Sequence, residues 1–116
     1  MFKDTCVFCD IVKKSVFSKV VFEDNRIMAF EDSNPQAPVH VVIISKTHID
    51  KISDLHDEDT RLIGSMIMKA NQIAGQKGVA ESGYRIVANC NKDAGQAVFH
   101  LHIHLLGGRQ MRWPPG

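Results

Sequence analysis

Between Phe99 and Leu106 the chain reads Phe-His-Leu-His-Ile-His-Leu-Leu, three histidines alternating with apolar residues. In an extended strand successive side chains point to opposite faces, which puts His100, His102 and His104 on one face. Three polar rings in register add nothing to the stability of a sheet, so their alignment points to chemistry. Metal chelation is one option, but alternate residues advance about 6.6 Å, leaving His100 and His104 about 13 Å apart at their backbones. With zinc–nitrogen bonds of about 2.0–2.1 Å, one zinc does not readily collect all three. Attack on phosphorus is the other option. A neutral imidazole is a competent nucleophile, and a phosphohistidine divides one hard displacement into two easier ones. Such attack needs neighbours that hold the tautomer and protonate the leaving group, and donors for the phosphoryl charge.

The loop just upstream can provide those donors. Gly95-Gln96-Ala97 leads into the histidine segment, and glycine lets backbone N–H groups approach a phosphate closely. A second group of chemically capable residues lies near the N-terminus. Cys6-Val7-Phe8-Cys9 has the spacing of half a zinc site, and equally that of a redox pair or of two buried thiols. Cys90 stands as an isolated thiol and His56, in a charged stretch, as a solvated ring.

The remaining chain must build a scaffold for these groups. Residues 6–14 suit a short helix, and 19–23 and 27–31 two strands about the turn at residues 23–26. Asn34-Pro35-Gln36-Ala37-Pro38 is irregular because proline interrupts ladders and helices alike. Val39–Ile44 is a continuous apolar and β-branched run broken only by His40, the pattern of a strand buried on both sides. From about Asp57 to Lys77, Ile63, Met66, Ile67, Ala70, Ile73 and Ala74 keep helical spacing, with acidic residues expected in the first turn and Gly78 at the end. Two further strands are expected near 84–89 and 97–106. Several strands with one long helix give an α+β fold with a mostly antiparallel sheet.

At 116 residues the chain suits one domain, 1–116, with 44% hydrophobic and 23% charged residues and a net charge of +1. No clustered basic footprint calls for nucleic acid, and no apolar run approaches the roughly 20 residues of a membrane span. The N-terminus lacks a secretory pattern, and three cysteines do not make a disulfide framework. These features suit a cytoplasmic protein, with a nuclear location compatible.

The segment His100–Leu106 resembles the motif of the histidine triad family. The likeness covers nearly the whole chain and is closest to the Hint-like branch: Phe30-Glu31-Asp32, the run 34–40, Gly83-Tyr84-Arg85 and the tail 107–116 all take part. The resemblance implies a five-stranded antiparallel sheet with a short N-terminal helix and one long helix, the sheet continuing across a homodimer. It implies hydrolysis of the P–N bond of purine nucleoside 5′-phosphoramidates, with His102 as the nucleophile that becomes nucleotidylated. His104 would contact phosphate and leaving group, and His40 would support the cluster. Asn89, Gly95, Gln96, Ala97 and Val98 match positions around the phosphate. Asp32 matches the carboxylate that binds ribose hydroxyls. Val7, Phe8, Ile11 and Phe30 match the apolar base pocket.

By the same resemblance Cys6, Cys9, His48 and His100 form a closed, structural zinc site, while the Trp113 tail reaches the neighbouring subunit's active site. Ala97 departs from a serine common in relatives, leaving only its backbone beside the phosphate, and Ser33 replaces an apolar residue. Two other functions remain open: dinucleoside polyphosphate hydrolysis, and a zinc-stabilised nucleotide-binding scaffold with incidental catalysis.

Overall fold

The structure is a computed structural model that describes residues 5–116; residues 1–4 of the expected 1–116 domain lie outside the described residues. Its elements run α1 (Val7–Val12), β1 (Val20–Glu23), β2 (Ile27–Glu31), β3 (Val39–Ser45), α2 (Thr60–Gln76), β4 (Tyr84–Val87) and β5 (His102–Gly107). The five strands form one sheet in the order β1-β2-β3-β5-β4, antiparallel at every pairing. The expected α+β architecture with one short and one long helix is therefore present. Among the described residues, no helix is long and apolar enough to cross a membrane.

Alternation along the two central strands decides what each face of the sheet carries. Val41 and Ile43 of β3 join Ile103 and Leu105 of β5 beneath α2, which buries Leu62, Met66, Ala70, Ile73 and Ala74. Fully burying a residue of the Leu, Ile or Met size is worth about 1.5–3 kcal/mol, so this face accounts for much of the fold's stability. The helical stripe differs from expectation at one point: Leu62 enters the core, while Ile67 stays 36% exposed. On the opposite face, Val42 and Ile44 pack with Met28, Phe30 and Ile11, so α1 covers only part of the sheet. The same parity puts His40, His102 and His104 on this second, partly uncovered face.

Several boundaries differ from the sequence reading. The expected acidic first turn of the long helix is a separate 3₁₀ turn, Asp57–Asp59, and α2 itself starts with none. Its end is as expected: Gly78 takes φ +77°, its N–H donates to Gly75 O (3.2 Å) and that of Val79 to Ala74 O (3.0 Å), the bonds of a Schellman motif. β4 stops at Val87, not residue 89. β5 starts at His102, not residue 97. The cause is a change of partner, because Leu101 N–H donates to Ile49 O at 2.6 Å and Ser45 N–H to Leu101 O at 3.3 Å. His100 thus precedes the strand, and three histidines on one regular strand become two plus one.

Candidate active site

The displaced histidine meets the cysteine pair. Cys6 caps α1, its Sγ accepting the Cys9 N–H at 3.3 Å, which folds the Cys-x-x-Cys segment into one turn. Cys6 Sγ lies 3.3 Å and Cys9 Sγ 3.6 Å from His100 Nδ1, and His48 Nδ1 lies 3.3 Å from Cys9 Sγ. Ligand atoms of all four residues fall within 4.8 Å of one another. Bonds of about 2.3 Å to sulfur and 2.0–2.1 Å to nitrogen in a tetrahedron separate ligand atoms by about 3.3–3.8 Å, so the cluster has the dimensions of a closed zinc site.

Protonation supports the same fit. His100 Nε2 donates to Ser45 O (2.6 Å) and His48 Nε2 to Asp50 Oδ1 (2.5 Å), since these oxygens only accept. Each Nδ1 is then a bare lone pair, yet the two lie 3.2 Å apart. Bare nitrogens so close repel unless a positive centre or a thiol proton stands between. Burial raises the Cys6 thiol above its usual range and lowers His100 to about 4. The Cys6 thiol and the His100 ring thus favour their neutral forms, and acceptors behind the two rings orient them as metal ligands.

From this cluster one hydrogen bond leads to the His102 ring. His102 Nδ1 lies 2.6 Å from the main-chain oxygen of His100. A carbonyl can only accept, so Nδ1 carries the proton and Nε2 keeps its lone pair. Burial pushes the His102 imidazole below its usual range, favouring the neutral form. A neutral ring with a fixed tautomer is what nucleophilic attack needs.

A second relay sets His104. The Gln36 N–H donates to His40 Nδ1 at 3.0 Å, so the His40 proton sits on Nε2. His40 Nε2 lies 2.9 Å from His104 Nδ1 and 3.4 Å from Asp32 Oδ2. His104 accepts at Nδ1 and keeps its proton on Nε2, making it a donor. Burial, with the neighbouring His102 and His40, lowers it to about 4, and burial also lowers His40. One backbone N–H therefore specifies two tautomers.

These rings line a cleft of about 970 Å³, the size of a pocket for a nucleotide-sized molecule. Of the residues expected to hold nucleotide, Val7, Phe8, Ile11, Phe30, Asp32, Asn89, Gly95, Ala97, Val98, His102 and His104 all line it, as does His40. Phe8 packs edge-on to Phe30 (5.5 Å) and His102 (5.2 Å), so the apolar end adjoins the His102 ring. Gln96 is different: it is buried, does not line the cleft, and spends its side chain on Asn91, Asp50 and Val98.

The upstream loop is also used differently from expectation. Gly95 N–H and Gln96 N–H close the turn onto Lys92 O (2.9 Å) and Asn91 O (3.1 Å). Gly95, at φ +80°, makes that turn possible without itself donating outward. The N–H groups of Ala97 and Val98, two residues that line the cleft, have no acceptor among the described residues and so remain available as donors. Sequence reading missed Phe17 and Gln36, which also line the cleft. Phe17, 91% exposed at the mouth, carries no periodic or motif signal. Gln36 acts on His40 through its backbone, which no side-chain pattern reports. His56 and Cys90 stay outside the cleft.

Comparison with known proteins places this arrangement. Residues 5–113 match the family model described as "Scavenger mRNA decapping enzyme C-term binding". A HIT-like protein of Synechocystis is 42% identical over the full length of both chains. A 14 kDa zinc-binding protein of Zea mays is 45% identical, over 95% of this chain and 87% of its own. The crystal structure of a HIT family hydrolase from Legionella pneumophila superposes with a TM-score of 0.95 at 49% identity, covering 97% of this chain and 100% of that one. A HIT family hydrolase from Clostridium thermocellum gives 0.93 at 44%, covering 96% of each chain.

Proposed function

Since this chain belongs to the histidine triad family, we propose that it hydrolyses the P–N bond of purine nucleoside 5′-phosphoramidates through a nucleotidyl-His102 intermediate. The observation that carries this reading is the pair of opposite tautomers in one cleft: a bare Nε2 on His102 beside a protonated Nε2 on His104, with ring centroids 5.0 Å apart. His102 Nε2 attacks phosphorus, the P–N bond breaks with its electron pair on nitrogen, and the amine takes up one proton. Water then adds hydroxide to phosphorus and returns one proton, releasing nucleoside monophosphate and His102. His104 donates to the phosphoryl oxygen or leaving nitrogen. Ala97 and Val98 N–H, with Asn89, receive the remaining phosphoryl charge. Asp32 accepts from the ribose hydroxyls, and the Val7, Phe8, Ile11 and Phe30 wall takes the base.

Cys6, Cys9, His48 and His100 hold one zinc, consistent with the zinc-binding maize relative. When bound, the ion neutralises the buried thiolates and ties α1 to the residue before the nucleophile. Reduced thiols of this kind suit the cytoplasm or nucleus. The competing activity, dinucleoside polyphosphate hydrolysis, is separated by one comparison: kcat/KM for an adenosine phosphoramidate against that for an adenylated dinucleotide. The phosphoramidate is expected to be preferred at least tenfold; the reverse order overturns the P–N assignment.

Burial predicts the pH profile. Because the His102 pKa lies below its ordinary value, the ring stays neutral as pH falls. Hydrolysis is expected to change little between pH 8 and 6, although an imidazole of pKa about 6.5 would be about three-quarters protonated at pH 6. An acid limb centred at or above 6.5 contradicts this. The unfolded chain takes up protons that buried His104 refuses, so stability is complete above about pH 6.5 and declines toward pH 4.

We place two such chains in a homodimer that extends the sheet past β4, one of its two edge strands. Trp113 is 82% exposed within one chain, so it makes no intrachain core. The tail is nevertheless held, by Arg85 on Arg112 O (3.1 Å) and by Arg109 on Gln36 O (2.9 Å). Deleting Met111–Gly116 is expected to change discrimination among amine leaving groups far more than nucleoside monophosphate affinity. Measuring kcat/KM for several amines decides it, and a uniform loss, or none, removes the tail from the leaving-group pocket.

A further inference from the structure

Gln96 uses three of the four hydrogen-bonding positions of its amide, including both donors, inside the protein. Oε1 accepts the Asn91 N–H at 2.8 Å, and Nε2 donates to Asp50 O at 3.0 Å and Val98 O at 3.1 Å. An amide has two protons on nitrogen, so both donors are spent. The bonds close the 91–98 loop on itself and hang it from Asp50. Asp50 in turn holds His48 Nε2 through its carboxylate, orienting the ring whose Nδ1 faces Cys9 and His100. The next residue back, Ile49, accepts the Leu101 N–H at 2.6 Å, beside His100. The segment 48–50 is thus a short bar with the Cys2His2 cluster at one end and the loop carrying the Ala97 and Val98 N–H groups at the other.

We infer that Gln96 is a positioning residue that couples the metal cluster to the phosphate end of the cleft, so that nucleotide binding and metal retention strengthen each other. The inference rests on the proposed function for the identity of the ligand. The physical reason is shared ordering. A ligated His48 fixes Asp50, Asp50 fixes the Gln96 amide, and the amide sets where the Val98 carbonyl, and with it the following peptide, can point. A phosphate seated on the Ala97 and Val98 N–H groups orders the same segment from its other end. Linkage makes the effect reciprocal: whatever factor metal adds to nucleotide affinity, nucleotide adds to metal affinity. Gln96 does this without touching the cleft, which separates it from the residues that line it.

The test measures zinc affinity by competition with a chelating dye, with and without saturating adenosine 5′-monophosphate. In the wild type the nucleotide is expected to raise zinc affinity about fivefold or more. Gln96→Glu keeps an acceptor for Asn91 and loses both donors, so it cuts the link to Asp50 while leaving the turn closed. It is expected to retain zinc and bind the monophosphate, with the coupling factor reduced to near one. Gln96→Met, of similar volume, removes the Asn91 acceptor as well as both donors and serves as a second break of the link should the carboxylate prevent folding. Asp50→Ala adds an independent arm, because it lines no part of the cleft yet is expected to weaken both zinc and monophosphate binding. Coupling that persists undiminished in the Gln96 variants arises from folding as a whole and overturns the assignment. Monophosphate that binds the wild type without altering zinc affinity overturns it while leaving the functional reading intact. Monophosphate that does not bind at all overturns the functional reading and this inference with it.

Discussion

His102→Ala is expected to lower hydrolysis by at least about a thousandfold while leaving nucleoside monophosphate affinity within a few-fold of wild type, because removing a nucleophile deletes the covalent route and leaves the pocket. The separation is expected because Asp32 and most of the base wall sit on other elements of the cleft, Phe8 alone among the wall residues packing edge-on to the His102 ring. A partial loss would have a different meaning. Were His102 only a hydrogen-bond donor to phosphate, its removal would cost about 1.5–3 kcal/mol, roughly 10- to 150-fold. Activity within about tenfold of wild type therefore contradicts the nucleophile assignment. His104→Ala is a useful companion, since it removes a donor but no bond-forming atom.

Removal of zinc is expected to have the largest effect on stability. Cys9 and His100 are fully buried and Cys6 nearly so. Without a cation the cluster keeps the two ring Nδ1 atoms 3.2 Å apart beside two thiols in a largely buried site. Structural zinc in small domains contributes several kcal/mol of folding energy, and each kcal/mol shifts Tm by about 2–8 °C in domains of this size class. Cys9→Ser, or exhaustive chelation, is expected to lower Tm by about 10 °C or more. Elemental analysis of protein purified without added metal is expected to return one zinc per chain. Protein free of zinc, with both thiols titratable and Tm unchanged on chelation, would return Cys6 and Cys9 to packing alone. A chelator that halts turnover without lowering Tm would instead point to a metal that takes part in the reaction.

Much of this arrangement was legible in the residues, and the exceptions share a cause. Period-2 alternation correctly separated His102 and His104 from Ile103 and Leu105, because both strand faces are buried against different partners. Apolar continuity from Val39 correctly announced a central strand. Alternation alone places His100 on the regular strand, although the resemblance assigns it to the metal cluster, because the pattern continues in the sequence after the ladder has changed partner: the Leu101 N–H bonds Ile49 outside the regular sheet. That departure lets the His100 ring meet Cys6 and Cys9 while its carbonyl still orients His102. The Cys-x-x-Cys spacing announced half a ligand set; the other half lay 39 and 91 residues beyond Cys9 in sequence, a separation that spacing cannot report.

Gln96 shows a different limit. Its resemblance-based role put it against the phosphate, whereas its side chain turns inward and its neighbours Ala97 and Val98 present the free N–H groups. Residue type announces what a glutamine amide can do, but which side of a loop it takes depends on acceptors brought there by the fold. Ile67 makes the same point on α2. Its spacing fits the apolar stripe, yet Leu62 fills the core while Ile67 and Met68 remain exposed within one chain. The helix turned slightly from the face that the periodicity suggested.

The central claim is that phosphorus passes through His102 rather than going directly to water. Stereochemistry at phosphorus tests this whether or not an intermediate accumulates. A chiral adenosine phosphorothioamidate is hydrolysed in isotopically labelled water and the configuration of the product determined. Attack by His102 and then by water makes two in-line displacements, each inverting, so net retention is the predicted result. Net inversion would mean a single displacement by water and would contradict the account.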